Sequence, residues 1–172
     1  MAISLYDVSV GSMVQTVGAV SAFVEKGRRW CAEAGINPDD VVETRLAADM
    51  FPFRFQLLSV VHHSIGAMEG ARAGVFAPPA PQDLDYTGLQ GLVADALARL
   101  KALSPDEVDA LEGREVIFKL GQSQIPFTAE GFLMSFSLPN LHFHAATAYD
   151  ILRQKGAPLG KRDYLGAMRI RS

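Results

Sequence analysis

The stretch FRFQLLSVVHHSIGAMEGAR, residues 53–72, decides the fold of this chain. Apolar residues cover most sides of the helix that it predicts, as expected for a helix buried at the centre of a bundle. At helical spacing, one apolar face combines Phe51, Phe55, Leu58, His62 and Ile65. A second face carries a polar strip formed by Gln56, Ser59 and His63. A polar strip on an otherwise apolar helix is the first sign of a site.

Two further long helices precede and follow this stretch. The first begins near Ser4 or Asp7 and ends at Gly35, and its apolar positions recur at helical spacing in Met13, Val17, Val20 and Val24. The third is predicted to begin at a capping box formed by Thr87 and Gln90. Its apolar stripe consists of Leu89, Val93, Leu97, Leu100 and Leu103.

The last long helix is predicted from Thr128 to Gly156, with a kink or break at Pro139. Just before it, Val116, Phe118 and Leu120 alternate in REVIFKL (114–120), and SQIPFT (123–128) follows a turn. This alternation predicts a small β-hairpin around residues 114–127. We therefore predict an all-α fold, a four-helix bundle with the hairpin inserted before the last long helix, as a single domain over residues 1–172.

The composition excludes several classes of function. The net charge of −3, without a long run of Lys and Arg, gives no support for binding to nucleic acid. No stretch reaches the roughly 18 uninterrupted apolar residues of a membrane span, and the first ten residues lack the pattern of a signal peptide. The single Cys31 cannot form an internal disulfide bond, which fits a reducing compartment. We predict a cytoplasmic protein with no membrane or nucleic-acid partner.

The four histidines form two close pairs, His62 with His63 and His142 with His144. Because successive residues of an α-helix rotate by about 100°, His142 and His144 point about 200° apart and cannot hold one metal ion together. The residues three and four positions after each of them are Ala or Thr, so the last helix contains no pair of histidines at metal-binding spacing.

His144 flanks the predicted buried stripe of the last helix, and Tyr149 flanks it on the other side; the stripe is Leu141, Ala145, Ala148 and Leu152. Two interpretations of His144 stay open. It is either a core histidine that donates a hydrogen bond to a neighbouring helix or a functional group that faces Gln56 and His63. His142 is predicted on the opposite flank, towards Tyr149. Elsewhere, the spacing predicts an ion pair between Arg45 and Asp49, four residues apart.

Two blocks together resemble a known family: TRLAADMFPFRFQLLSVVHHS (44–64) and LPNLHFHAATAYDILRQKGAPLGKRDYLG (138–166). They are similar to an uncharacterised bacterial family of unknown function within the DinB/YfiT-like superfamily of proposed metalloenzymes. The resemblance runs from SLYDVSV (4–10) to DYLGAM (163–168). It implies a DinB-type four-helix bundle that is often dimeric. The apolar excess of the second helix also favours a homodimer, because a four-helix bundle buries fewer sides of it.

The resemblance also implies a metal site in relatives, and this chain departs from it. Characterised superfamily members include thiol-dependent transferases and isomerases that use a divalent metal. Their ligands are one histidine of the second helix and an H-x3-H pair of the last long helix. In this chain Ala148 stands four residues after His144 and Asn140 four residues before it, while His62 or His63 would be the second-helix ligand. The resemblance therefore implies the fold but not the activity.

Two hypotheses about function follow. We predict a DinB-like module that binds a small molecule or is associated with stress, with a degenerate metal site and no resident cofactor. The alternative is a metal-dependent, thiol-dependent transferase or isomerase that uses a divalent metal such as Zn or Ni. Its pocket would contain Gln56, His63, His144 and Tyr149, and its candidate metal ligands would be His63 and His144.

Overall fold

The structure, a computed structural model that describes residues 3–171, is mainly helical with one small sheet. Its elements in chain order are α1 (Leu5–Val8), α2 (Val10–Ala34), α3 (Asp39–Val42), α4 (Phe53–Val61), the π-helical turn π1 (His62–Gly66), α5 (Ala67–Ala73), β1 (Val75–Phe76), α6 (Tyr86–Lys101), α7 (Pro105–Asp109), β2 (Glu115–Leu120), β3 (Ser123–Thr128), α8 (Ala129–Gly131), the π-helical segment π2 (Phe132–Ser137), α9 (Leu138–Gln154) and α10 (Lys161–Leu165).

The first long helix begins and ends where the sequence predicts. Ser4 and Asp7 form a capping box at the start of α1, so that their side chains satisfy amides that lack partners in the first turn. A break at Ser9 separates α1 from α2. Gly35 ends α2 with a φ of 68°, a left-handed conformation that glycine adopts without a steric penalty.

The second long helix joins α4, π1 and α5 without interruption over residues 53–73. Pro52 is the N-cap of this helix and has an extended backbone (ψ 170°). A proline is tolerated here because a residue at the start of a helix can lack an N–H donor at little cost. The π-helical turn His62–Gly66 was not predicted from the spacing of apolar residues. A π turn contains one more residue than an α turn, so it changes which side chains share a face after it.

The last long helix joins α8, π2 and α9 and continues through Pro139, so of the predicted kink or break at this residue the break was wrong. The π-helical segment ends just before α9, which places Pro139 in the first turn of α9. Directly before it, the N–H of Leu138 bonds to the carbonyl oxygen of Leu133, five residues back, so the hydrogen-bond pattern already departs from that of an α-helix where the N–H of Pro139 is missing. The predicted stripe is confirmed, since Leu141, Ala145, Ala148 and Leu152 are fully buried.

The sheet has three strands in the order β1-β2-β3, so the predicted two-stranded hairpin was incomplete. β2 and β3 pair antiparallel, with Val116 opposite Phe127 and Lys119 opposite Gln124. β1 pairs parallel with β2 and lies at the start of the Pro-rich connection between α5 and α6, residues 74–85. A strand of two residues is too short for the alternation that reveals a strand in sequence. The sheet brings Phe76 and Phe118 beside the last long helix.

The third long helix, α6, begins at a different cap from the predicted one. The carboxylate of Asp85 accepts a hydrogen bond from the amide of Gly88 at 2.7 Å, so Asp85 is the N-cap. The predicted capping box of Thr87 and Gln90 was wrong, and the Gln90 side chain donates to Glu25 instead. Asp is the better cap because its charge also favours the positive end of the helix dipole.

The long helices enclose one hydrophobic core. α4 packs against α9 and α6, and α2 packs against α6 and α9. The segment Leu5–Ala34 is long and apolar enough to cross a membrane, although no such span was predicted. Its most apolar window of 18 residues has a mean hydropathy of 1.3. Half of the residues in this window are buried inside the fold, as in the core helix of a globular domain.

Candidate functional site

A cavity of about 720 Å³ opens between α4, the Pro-rich connection after β1 and the last long helix. Much of its wall is aromatic, from the rings of Phe51, Phe55, Phe76, Phe118 and Phe136. Small-molecule sites commonly have volumes of about 300–1,000 Å³ and mainly apolar walls with a few placed polar groups. The cavity therefore has the size and the wall of such a site.

A hydrogen bond between Gln56 and His144 joins α4 to α9 at this cavity. Gln56 is 2% exposed, and its Nε2 donates to the carbonyl oxygen of Phe51 at 2.8 Å. Its Oε1 consequently faces Nδ1 of His144, at 2.8 Å. Because an amide oxygen only accepts, Nδ1 of His144 is the donor. A neutral imidazole carries one N–H, so Nε2 of His144 is left as an acceptor.

The surroundings of His144 keep it neutral. Its ring packs edge-on against Phe55, with 5.8 Å between ring centroids, and burial lowers its pKa from 6.5 to about 4. His144 lines the cavity, and within the described residues its Nε2 is neither hydrogen-bonded nor sealed from solvent. At neutral pH the cavity wall therefore carries an open hydrogen-bond acceptor.

His63 lies beside His144 with its ring nearly parallel, at an interplanar angle of 14° and a centroid distance of 6.0 Å. It is 9% exposed and contacts the rings of Phe76 and Phe136. Burial lowers its pKa to about 3, with smaller contributions from the charges of His62 and His144. Its Nδ1 is buried and has no hydrogen-bond partner among residues 3–171, which is a costly arrangement.

His62 also lines the cavity, although the α-helical spacing predicted it on a different face from His63. Both belong to the wider turn π1, which brings them to the same cavity. The His62 ring stacks on Phe76 at 4.2 Å. Burial lowers its pKa, and its Nε2 is buried without a hydrogen-bond partner among the described residues. The spacing of residues missed His62 as a cavity residue because nothing in the pattern signals the π turn, and only the family resemblance named it as a possible ligand.

Comparison with known proteins identifies the family of this chain. Residues 5–165 match a family described as a domain of unknown function, DUF1993. The chain belongs to the DUF1993 family. Its fold is similar to the crystal structure of a DinB family member protein from Shewanella denitrificans, with a TM-score of 0.78 and 25% identity over 98% of this chain and 95% of that chain. Comparison with curated proteins finds no match. The resemblance to an uncharacterised DinB-like family is thereby confirmed.

Tyr149 lies outside the cavity of this DUF1993 chain, so its predicted place in the pocket was wrong. Its ring packs against Phe23 at 6.0 Å and Tyr164 at 5.9 Å. Five residues after His144, it is rotated by about 140° around α9 and faces other elements. His142 lies on that flank, as predicted: it is exposed, and its carbonyl oxygen accepts from the Tyr164 hydroxyl at 3.4 Å.

The cavity residues of this DUF1993 chain do not fit the three-ligand metal site that the superfamily resemblance implies. Across residues 3–171, no three His, Cys, Asp or Glu side chains lie close enough together to hold a metal ion. His63 and His144 supply two imidazoles, and Nδ1 of His144 is already bonded to Gln56. A catalytic zinc usually takes three protein ligands and one open position.

Arg45 lies at the mouth of the cavity and does not form the predicted ion pair with Asp49. The segment 43–52 is not helical, so a spacing of four residues does not bring the two side chains together. Nη1 of Arg45 instead donates to the carbonyl oxygen of Met50 at 2.6 Å. The guanidinium group is exposed, and its other N–H donors make no hydrogen bond within the described residues.

Proposed function

We propose that this DUF1993 chain binds a small, largely apolar molecule in the cavity between α4 and the last long helix. The observation that carries the proposal is the chain of hydrogen bonds from the Phe51 carbonyl through Gln56 to His144. It orients an imidazole acceptor in an aromatic cavity, and a few oriented polar groups in an apolar wall are typical of ligand sites. Packing alone does not require an open acceptor.

The two π-helical segments support this proposal. π1 contributes His62 and His63 to the cavity, and π2 contributes Phe136. Single π-helical turns inside α-helices are rare and occur frequently at functional sites. That both of them border the same cavity favours a ligand-binding role for it.

The protonation state of His144 favours binding over acid–base catalysis. A general base works best when its pKa lies near the working pH, and the pKa of His144 is lowered to about 4. Such an imidazole is a good hydrogen-bond acceptor but a weak base. The degenerate metal site fits the same proposal, and the alternative of a metal-dependent transferase or isomerase has less support. An association with stress and a cytoplasmic location stay predictions.

Filling the cavity is expected to abolish binding of 2-naphthol, a neutral aromatic probe. Leu58 is half-buried and lines the cavity, so a tryptophan at this position should occupy the ligand space. Leu97 is a half-buried leucine of α6 that does not line it. Fluorescence titration should show saturable binding to the wild type and to Leu97→Trp, and none to Leu58→Trp. Equal binding of 2-naphthol to all three proteins, or no binding to any of them, would contradict the proposal.

We propose that two copies of the chain form a homodimer through an aromatic patch made by Phe51 and Phe143. These side chains are 60% and 56% exposed and are connected through the rings of Phe55 and His144. Exposed apolar patches of this kind mark interaction surfaces. Light scattering at tens of micromolar should give the mass of a dimer for the wild type and of a monomer for Phe143→Ser.

Met168 provides the control for the dimer, because its side chain is 59% exposed outside the patch. Met168→Ser should therefore stay dimeric. A wild-type chain with the mass of a monomer, or an equal loss of the dimer in both variants, would count against this interface.

A further inference from the structure

His144 offers a ligand in the cavity an acceptor and therefore favours a donor group on that ligand. The Gln56 side chain uses both its nitrogen and its oxygen in hydrogen bonds, so it has little left for a ligand. Nε2 of His144 is the acceptor that stays open. A ligand with a hydroxyl or N–H group at the end beside His144 can donate to it, whereas a purely apolar ligand leaves that nitrogen without a partner.

The mouth of the cavity offers the opposite chemistry. Of the three charged side chains that line the cavity, two are arginines and one is Glu43. Arg54 is paired with Glu43 at 2.7 Å and with Asp83. Arg45 has no carboxylate partner within the described residues and bonds only one carbonyl oxygen. A guanidinium group binds a carboxylate through two parallel N–H donors, so Arg45 fits a carboxylate at the outer end of a ligand.

The walls between these ends favour a flat ligand. Phe51 and Phe55 stack at 4.2 Å with an angle of 25° between their planes, and the rings of His62 and Phe76 stack at 4.2 Å with an angle of 22°. Aromatic rings pack well against other aromatic rings, in stacked or edge-on arrangements. Because these four rings line the same cavity, a planar aromatic body can contact them through its faces or edges.

We propose that the ligand is a planar aromatic acid with a hydroxyl or amine donor at the end opposite its carboxylate. The donor binds Nε2 of His144, the aromatic body contacts the phenylalanine and histidine rings, and the carboxylate binds Arg45. The inference rests on the proposed small-molecule binding and adds the class of ligand to it.

Three naphthalene probes separate the parts of this inference. 6-Hydroxy-2-naphthoate carries both groups, 2-naphthoate lacks the donor and 2-naphthol lacks the carboxylate. We expect 6-hydroxy-2-naphthoate to bind about tenfold more tightly than 2-naphthoate, the effect of one hydrogen bond in an apolar site. We expect it to bind about threefold more tightly than 2-naphthol, because a salt bridge at an exposed arginine is weaker, and added salt should reduce this difference.

Variants assign each difference to a residue. Arg45→Gln should remove the preference for 6-hydroxy-2-naphthoate over 2-naphthol and leave the preference over 2-naphthoate unchanged. Arg153→Gln is the matched control, because Arg153 is also exposed and also donates to a backbone carbonyl, that of Ala157, but lies outside the cavity. His144→Phe should remove the preference over 2-naphthoate. If that variant does not fold, the wild-type comparison of the three probes still decides the role of the donor.

The outcomes distinguish this inference from the proposed function. If 2-naphthol binds as tightly as 6-hydroxy-2-naphthoate, or Arg45→Gln has the same effect as Arg153→Gln, the ligand is not an aromatic acid and small-molecule binding still stands. If 2-naphthoate binds as tightly as 6-hydroxy-2-naphthoate, the proposed hydrogen bond from the ligand to His144 is contradicted, and small-molecule binding again still stands. If none of the three probes binds the wild type, the proposed function fails and this inference fails with it.

Discussion

Lowering the pH from 8 to 5 is expected to reduce the free energy of unfolding by roughly 2 kcal/mol for each of His63 and His144. Their pKa values are about 3 and about 4 in the folded chain, against 6.5 for a histidine in water. Below pH 6.5 the unfolded chain therefore takes up protons that the folded chain does not. Stability is full above this pH and falls until the pH approaches the folded pKa values. Urea denaturation at pH 8 and pH 5 measures the difference.

His63→Phe tests the origin of this pH dependence. A phenylalanine ring suits a site already bordered by Phe76 and Phe136, and it cannot titrate. The variant should lose roughly 2 kcal/mol less than the wild type between pH 8 and pH 5. His142→Phe is the control: burial lowers the pKa of His142 as well, but its side chain is exposed, so this substitution should change the pH dependence less. A wild-type stability that is flat over this pH range would show that these imidazoles are not buried as described.

Gln56→Met is expected to destabilise the fold by roughly 1–3 kcal/mol for each polar group that it leaves unpaired. Methionine has nearly the shape of glutamine but makes neither of its hydrogen bonds. The Phe51 carbonyl would lose its donor, and Nδ1 of His144 would lose its acceptor. Gln56 is 2% exposed, so water cannot readily replace the lost partners. Chemical denaturation at pH 8 measures the loss.

Gln82→Met is the matched control for this change. Gln82 borders the cavity but is exposed, so the same substitution should alter the stability by no more than about 0.5 kcal/mol. Equal stability of Gln56→Met and the wild type would mean that the hydrogen bond between α4 and α9 contributes nothing.

Much of the cavity could be predicted from residue spacing. The α-helical period places Gln56, Ser59 and His63 on one strip. Ser59 and His63 line the cavity, whereas Gln56 does not line it and contacts it only through its hydrogen bond to His144. The same period separates His144 from His142, and the structure places only His144 at the cavity. These predictions succeed because a buried stripe in each helix fixes the rotation of that helix about its axis.

Other features depend on contacts that a sequence pattern does not contain. The π-helical turn that brings His62 to the cavity adds one residue to a turn without a change in composition. The alternative hypothesis includes Tyr149 in the pocket, whereas its position on α9 turns it towards Phe23. Arg45 was paired with Asp49 on the assumption of a helix that does not extend through this segment.

The tautomer of His144 tests the central claim most directly, because an open acceptor in the cavity depends on Gln56 holding the proton on Nδ1. Long-range ¹H–¹⁵N correlation spectra of the wild type and Gln56→Met at pH 7 report which ring nitrogen carries hydrogen. The account predicts a neutral His144 in the wild type, with its proton on Nδ1 and none on Nε2, and a loss of this preference in Gln56→Met. A proton on Nε2 in the wild type, or a doubly protonated ring at pH 7, would contradict it.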